Sequence, residues 1–168
     1  MTAHELFPCL SPAESEGVLS WLHENDRAAY RSCVGILATR RKLRPVFVER
    51  KPRLDRHAWM RDALGKSANN DLAIEVLQAW TLGANGTMVC EFLDVLGVAH
   101  DGRGLVDELP PQPPEEQLNA AVAGIVGKHP ADAVFVYLNL LVGTGMAEWP
   151  ALTAQLASEP RLCRSPQP

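Results

Sequence analysis

The chain has 168 residues, of which 46% are hydrophobic and 21% charged, and a net charge of −4. That balance fits one globular domain with a real core and excludes wholesale disorder. It also excludes a membrane-spanning helix: the longest charge-free stretch, Ala133 to Ala147, is 15 residues broken by Asn139, Gly143 and Gly145, against the ~20 apolar residues a span requires.

The N-terminus lacks the basic start and apolar run of a secretory signal. Its first Lys or Arg is Arg27, and His4, Glu5 and Pro8 occupy the early positions. The expected location is therefore cytoplasmic, and Cys9, Cys33, Cys90 and Cys163, with no close pairing among them, read as reduced thiols.

Ser11-Pro12-Ala13-Glu14 is a capping box with proline at the first helical position. It opens a helix with Val18, Trp21 and Leu22 on one stripe, ending near Asn25. Asp26 caps a second helix to about Arg41, with Tyr30, Val34 and Leu37 on one face. Pro45 stops that run, and Val46-Phe47-Val48 reads as a short extended piece. Pro52 then allows a helix over Arg53 to Leu64, closed by Gly65.

Asn70 caps a helix carrying Leu72, Val76, Leu77 and Trp80 to Gly83. Thr87 caps the next, Met88 to Leu96, whose apolar face is Val89, Phe92, Leu93 and Leu96. The short link between them predicts an antiparallel hairpin. Asp101-Gly102-Arg103-Gly104 is a turn, and Pro110-Pro111-Gln112-Pro113-Pro114 is a stiff connector that no helix interior tolerates.

Glu115 to Gly127 follows as a helix with Leu118, Val122, Ile125 and Val126 in stripe. Ala133 to Val142 is apolar nearly all round, as befits a helix inside a bundle, although Val134-Phe135-Val136-Tyr137 also suits a strand. Asn139 within it reads as a buried amide bonded to a neighbour. A last helix starts near Trp149-Pro150 and fades by Glu159-Pro160.

The expected architecture is thus all-α: an irregular bundle of about six to eight helices arranged as hairpins. One domain covers 1–160, with the connector at 110–114 crossing its surface. Residues 161–168 read as a disordered tail.

Charge is distributed unevenly. Residues 1–66 carry 12 Lys/Arg against 8 Asp/Glu, and residues 67–168 carry 4 against 12. The basic density peaks in the segment 40–66, with Arg40, Arg41, Lys42, Arg44, Arg50, Lys51, Arg53, Arg56 and Arg61. Such a run can follow a phosphate backbone, the guanidiniums gripping phosphate oxygens in pairs. It can equally pair with the acidic half 67–160 of the same chain, or with an acidic protein partner. Glu49, Asp55 and Asp62 interrupt it, and no nucleic-acid-binding motif accompanies it.

Motifs for catalysis are missing: there is no nucleophile elbow, no phosphate-cradling glycine loop and no His pair at metal-ligand spacing. Glu91 and Asp94 share one helical face. With Glu75, His100 and Asp101 they form the acidic cluster that a hydrolase dependent on Mg²⁺ or Ca²⁺ would use, or else a solvated face.

No cofactor is expected beyond that divalent-cation option. The leading expectation is a non-enzymatic helical interaction or regulatory module that binds a protein partner or itself. A nucleic-acid-associated protein using 40–61 comes second, and the metal-dependent hydrolase third.

Overall fold

A computed structural model describes residues 1–106 and 108–166. Among them are ten α-helices, one 3₁₀ turn and no strand: α1 (Ala3–Cys9), α2 (Pro12–Asn25), α3 (Arg27–Arg40), α4 (Pro45–Glu49), α5 (Arg53–Leu64), the turn Ser67–Asn69, α6 (Asn70–Ala84), α7 (Gly86–Val95), α8 (Glu115–Val126), α9 (Ala131–Gly143) and α10 (Pro150–Ser158). The all-α bundle expected from the sequence is therefore present, with more helices than the six to eight anticipated. The two additions are α1 and α4. None of the helices is long and apolar enough to cross a membrane, among the described residues.

The chain divides into two compact units: Ala3–Leu77 with Ser165 and Pro166, and Gln78–Arg164 with Met1–Thr2. In the first, here the N-terminal unit, the capping box closes as its residue types dictate. Ser11 Oγ accepts the Glu14 N–H at 3.2 Å, and Glu14 Oε2 accepts the Ser11 N–H at 2.7 Å. Asp26 serves two helices. Its own N–H ends α2 on the Leu22 carbonyl, and its carboxylate accepts the Ala29 N–H at 2.9 Å to start α3. Helix α2 packs on α3 and α5, α1 on α5, and α3 on α4. Leu6, Phe7, Leu19, Leu22, Leu37, Met60 and Leu64 are buried between them.

Val46-Phe47-Val48 corrects the expectation of an extended piece. Pro45 presets the first helical φ, Arg50 N–H closes the turn on the Val46 carbonyl at 3.1 Å, and Val48 is buried while Phe47 is left 57% exposed. One buried valine is a stronger constraint here than the β-propensity of three residues.

In the C-terminal unit, α7 has its most extensive packing with α8, α8 also meets α9, and α9 meets α10. Every side chain from Ala133 to Leu141 is buried, so α9 is the central helix, and Val134–Tyr137 lie within it and not in a strand. Asn139 Nδ2 donates to the Phe135 carbonyl at 2.9 Å and to the Leu162 carbonyl at 3.3 Å, the amide partnership its burial demands. Helix α7 starts two residues earlier than expected, with Asn85 and not Thr87 at the N-cap position.

The proline connector is tied down at two points. Trp149 Nε1–H donates to the Pro110 carbonyl at 3.1 Å, and Gln112 Oε1 accepts the Ala151 N–H at 2.9 Å. Beyond Pro160, Leu162 is buried and the Arg164 guanidinium lies 4.8 Å from the centre of the Phe135 ring. Gln167 and Pro168, part of the expected tail, lie outside the described residues.

Gly104 shows where the 101–105 turn meets α7. Its φ is +90°, and a Cβ built there lies 2.5 Å from Val89 Cγ1. Gly104→Ala combines a left-handed penalty with a clash against a short, stiff side chain, so it is expected to cost about 2 kcal/mol. Urea titration checks this: the midpoint falls while the slope stays unchanged.

Candidate functional site

The most organised polar site lies in the N-terminal unit, where α2, α3 and α5 meet. Helix α2 contributes Glu16 and His23, α3 contributes Arg27, Tyr30 and Arg31, and α5 contributes Arg53, Arg56 and His57. At its centre is His57, 2% exposed, with Nδ1 2.7 Å from Glu16 Oε2 and Nε2 2.9 Å from Tyr30 Oη.

The proton positions follow from the neighbours. Arg56 Nε–H donates to Tyr30 Oη at 2.8 Å, so the tyrosine hydroxyl donates onward to His57 Nε2. The imidazole then carries its proton on Nδ1 and donates it to Glu16. Burial holds the His57 pKa below the ordinary histidine value, against the opposing pull of the Glu16 carboxylate. The ring is therefore neutral near pH 7. Ser20 Oγ donates to the other Glu16 oxygen at 2.8 Å, and Arg53 stands 3.9 Å from it.

Above this network is a cavity of about 420 Å³, lined by His23, Arg27, Tyr30, Arg31, Val34, Glu49 and Arg56. Arg56 is fixed by its bond to Tyr30 and by another from Nη1 to the Glu49 carbonyl at 2.9 Å. Arg27 and Arg31 make no ion pair among the described residues. The His23 ring meets Tyr30 edge-on at 4.8 Å, and its buried Nδ1 has no hydrogen-bond partner among the described residues. Burial, then the positive charges of Arg27, Arg56 and Arg53, lower the His23 pKa. Three guanidiniums and a neutral imidazole with a spare nitrogen face one carboxylate residue, Glu49. Such a lining attracts a compact anion.

The sequence-derived basic residues divide into two groups. Arg40 grips Asp71 with both terminal nitrogens at 2.9 and 2.6 Å, and its hydrogen bonds hold that carboxyl down to about 2. Arg41 pairs with Asp62 at 2.7 Å and lies 5.5 Å from the Trp59 ring centre. Arg53 approaches Glu16 and Glu24, Arg61 donates to the Leu10 carbonyl at 3.0 Å, and Arg56 belongs to the pocket.

Lys42, Arg44, Arg50 and Lys51 are exposed and make no ion pair among the described residues. Lys42 has a backbone task instead. With φ 56° it closes α3, its N–H on Thr39 and the Leu43 N–H on Ala38.

The acidic candidates are occupied locally. Glu75 is an exposed residue of the N-terminal unit, whereas Glu91, Asp94, His100 and Asp101 belong to the other. Glu91 Oε2 lies 3.1 Å from His129 Nε2 and 3.4 Å from Lys128 Nζ, and the histidine contact lowers its pKa most. Asp101 accepts the N–H groups of Arg103 and Leu105 at 2.7 and 3.0 Å, which organises the turn. His100 Nδ1 accepts the Gly102 N–H at 3.1 Å, so Nε2 carries the proton and donates to Asp94 at 3.1 Å. Both ring nitrogens are thereby engaged. No group of three or more His, Cys, Asp or Glu residues able to hold a metal ion exists among the described residues.

Sequence reading missed His23, Arg27, Arg31, Glu16 and His57, and it took Tyr30 only as a core residue. They span positions 16 to 57 without any shared spacing, so the available signal was Arg53 and Arg56 within the basic run. No family model, no curated protein and no solved structure shows a significant match to this chain.

Proposed function

We propose that this protein is a non-enzymatic helical interaction module that reads an acidic, partly apolar segment of a protein partner. The arginine-lined pocket takes a carboxylate or phosphate of that segment. The observation that carries the reading is the set of three guanidiniums around one cavity, none of them in an ion pair among the described residues.

A second feature favours a protein over a free anion. Leu43, Val46, Phe47 and Leu54 are exposed large apolar side chains, with Phe47 at 57% and Leu54 at 65%. They alternate along the chain with Lys42, Arg44, Arg50 and Lys51. Apolar anchors within a basic surround suit an acidic segment carrying leucine or phenylalanine.

The test is fluorescence polarisation with a pool of labelled Asp/Glu-rich peptides containing Leu and Phe, run beside a mixed-sequence oligonucleotide at about 50 and 200 mM salt. Peptide binding is expected, weakened at least tenfold by Arg27→Ala with Arg31→Ala, as fits the loss of two charge-assisted contacts. Circular dichroism controls for folding. Oligonucleotide binding that collapses at the higher salt, without peptide binding, would replace this reading with a phosphate-backbone one. Failure of both probes would end it.

A further inference from the structure

The C-terminal unit contains a second cavity of opposite character, of about 160 Å³, walled by Leu82, Val89, Leu93, Leu140 and Leu141. No charged residue lines it among the described residues. Its size matches an engineered apolar cavity of roughly 150 Å³ that takes benzene. Gln78 and the exposed Met146 also line it, Nε2 standing 3.9 Å from Sδ, and provide a side open to solvent.

Two hydroxyls interrupt the apolar wall. Thr81 is 3% exposed, and its Oγ1 has no hydrogen-bond partner among the described residues. That is unusual for a threonine inside a helix, whose hydroxyl ordinarily reaches the carbonyl four residues back. Three others in this chain do so: Thr39 to Gly35 at 2.9 Å, Thr144 to Leu140 at 2.6 Å and Thr153 to Trp149 at 3.2 Å.

A buried hydroxyl left unpaired costs about 1–3 kcal/mol, and the cavity is the space from which a partner can come. Tyr137 supplies the second hydroxyl. It is buried, its ring is held edge-on by Phe92 at 5.4 Å, and it makes no hydrogen bond among the described residues. Burial pushes its pKa well above the ordinary tyrosine value, so it remains a neutral donor.

We infer that this cavity is a binding site for a neutral molecule of single-ring size bearing one oxygen, a phenol or cyclic ketone. The ring occupies the leucine-rich wall, and the oxygen meets the Thr81 and Tyr137 hydroxyls. A charged ligand would find no counter-charge there. A purely apolar one would leave Thr81 unpaired. The inference is independent of the arginine pocket, since every residue it uses belongs to the other unit.

The experiment is methyl-resolved NMR titration of the full chain with phenol and, separately, toluene. Phenol should shift the Leu82, Val89 and Leu140 methyls and bind about tenfold more tightly than toluene, the value of one net hydrogen bond. Thr81→Val with Tyr137→Phe keeps the shape and removes both hydroxyls, so it should abolish that preference. Thr81→Ser should retain it, which keeps the test decisive if the valine variant fails to fold. Absence of methyl shifts with either probe would overturn the inference. So would a phenol preference that survives in Thr81→Val with Tyr137→Phe, or a long-lived water on Thr81 that phenol does not displace.

Discussion

Trp149→Ala is expected to destabilise the unit containing Gln78–Arg164 by about 3–5 kcal/mol, a large share of what a domain of this size possesses. Trp149 is 2% exposed and stands at the N-cap position of α10, without a side-chain hydrogen bond to that helix. Its indole instead fills the core, and its N–H holds the Pro110 carbonyl at 3.1 Å. Truncation therefore leaves a large cavity and releases one of the two ties on the proline connector. Trp149→Phe separates the two contributions: it keeps most of the volume and loses the hydrogen bond, with an expected cost of about 1–2 kcal/mol. Urea unfolding of both variants is the measurement. A loss below about 1 kcal/mol for the alanine variant would show that the site collapses to fill the gap.

His57→Leu is expected to cost about 2–4 kcal/mol, the sum of a hydrogen bond to a carboxylate and one to a hydroxyl, with leucine replacing part of the ring's packing. The variant leaves the Tyr30 hydroxyl without its acceptor under Arg56, and Glu16 without its closest donor. It should also alter the pH dependence.

In the folded state the His57 and His23 pKa values are both lowered from 6.5, chiefly by burial. Below pH 6.5 the unfolded chain therefore binds more protons than the folded one. Stability is complete above that pH and declines on acidification, until the pH passes below the folded-state values. The expected result is a wild-type stability that falls as the pH drops through 6.5 in urea titrations, with a shallower fall in His57→Leu, where of the two histidines only His23 remains. A slope unchanged by the substitution would place the titration elsewhere.

The pocket explains why its own parts were hard to see in advance. Glu16, His23, Arg27, Arg31 and His57 lie on three helices with no common period. Each one alone reads as an ordinary surface charge or a stray histidine. Arg56 was visible because it lies in a dense basic run, yet that run contains residues with unrelated tasks. Arg40 is bound to Asp71, Lys42 turns the chain out of α3, and Arg44 makes no ion pair among the described residues. Composition cannot separate these, because the difference lies in which acceptor the fold brings within hydrogen-bonding reach.

Helix ends were legible wherever a local chemical device makes them. The Ser11–Glu14 box and the Asp26 cap need only residues three apart, so their hydrogen bonds form as read. Helix α9 was legible as a central helix because its composition is apolar on all sides. Helices α1 and α4 escaped notice for a physical reason: at seven and five residues they are too short to display a helical repeat, and Pro8 sits inside the first.

The all-α class and the longer helices were therefore settled by local chemistry, since capping and periodicity act over a few residues and carry their own energy. Packing alone made α8 the main partner of α7 across the proline connector and set three guanidiniums around one cavity. It also left Thr81 without the partner its sister threonines have. Those outcomes depend on contacts between distant positions, whose energy appears only once the helices have packed.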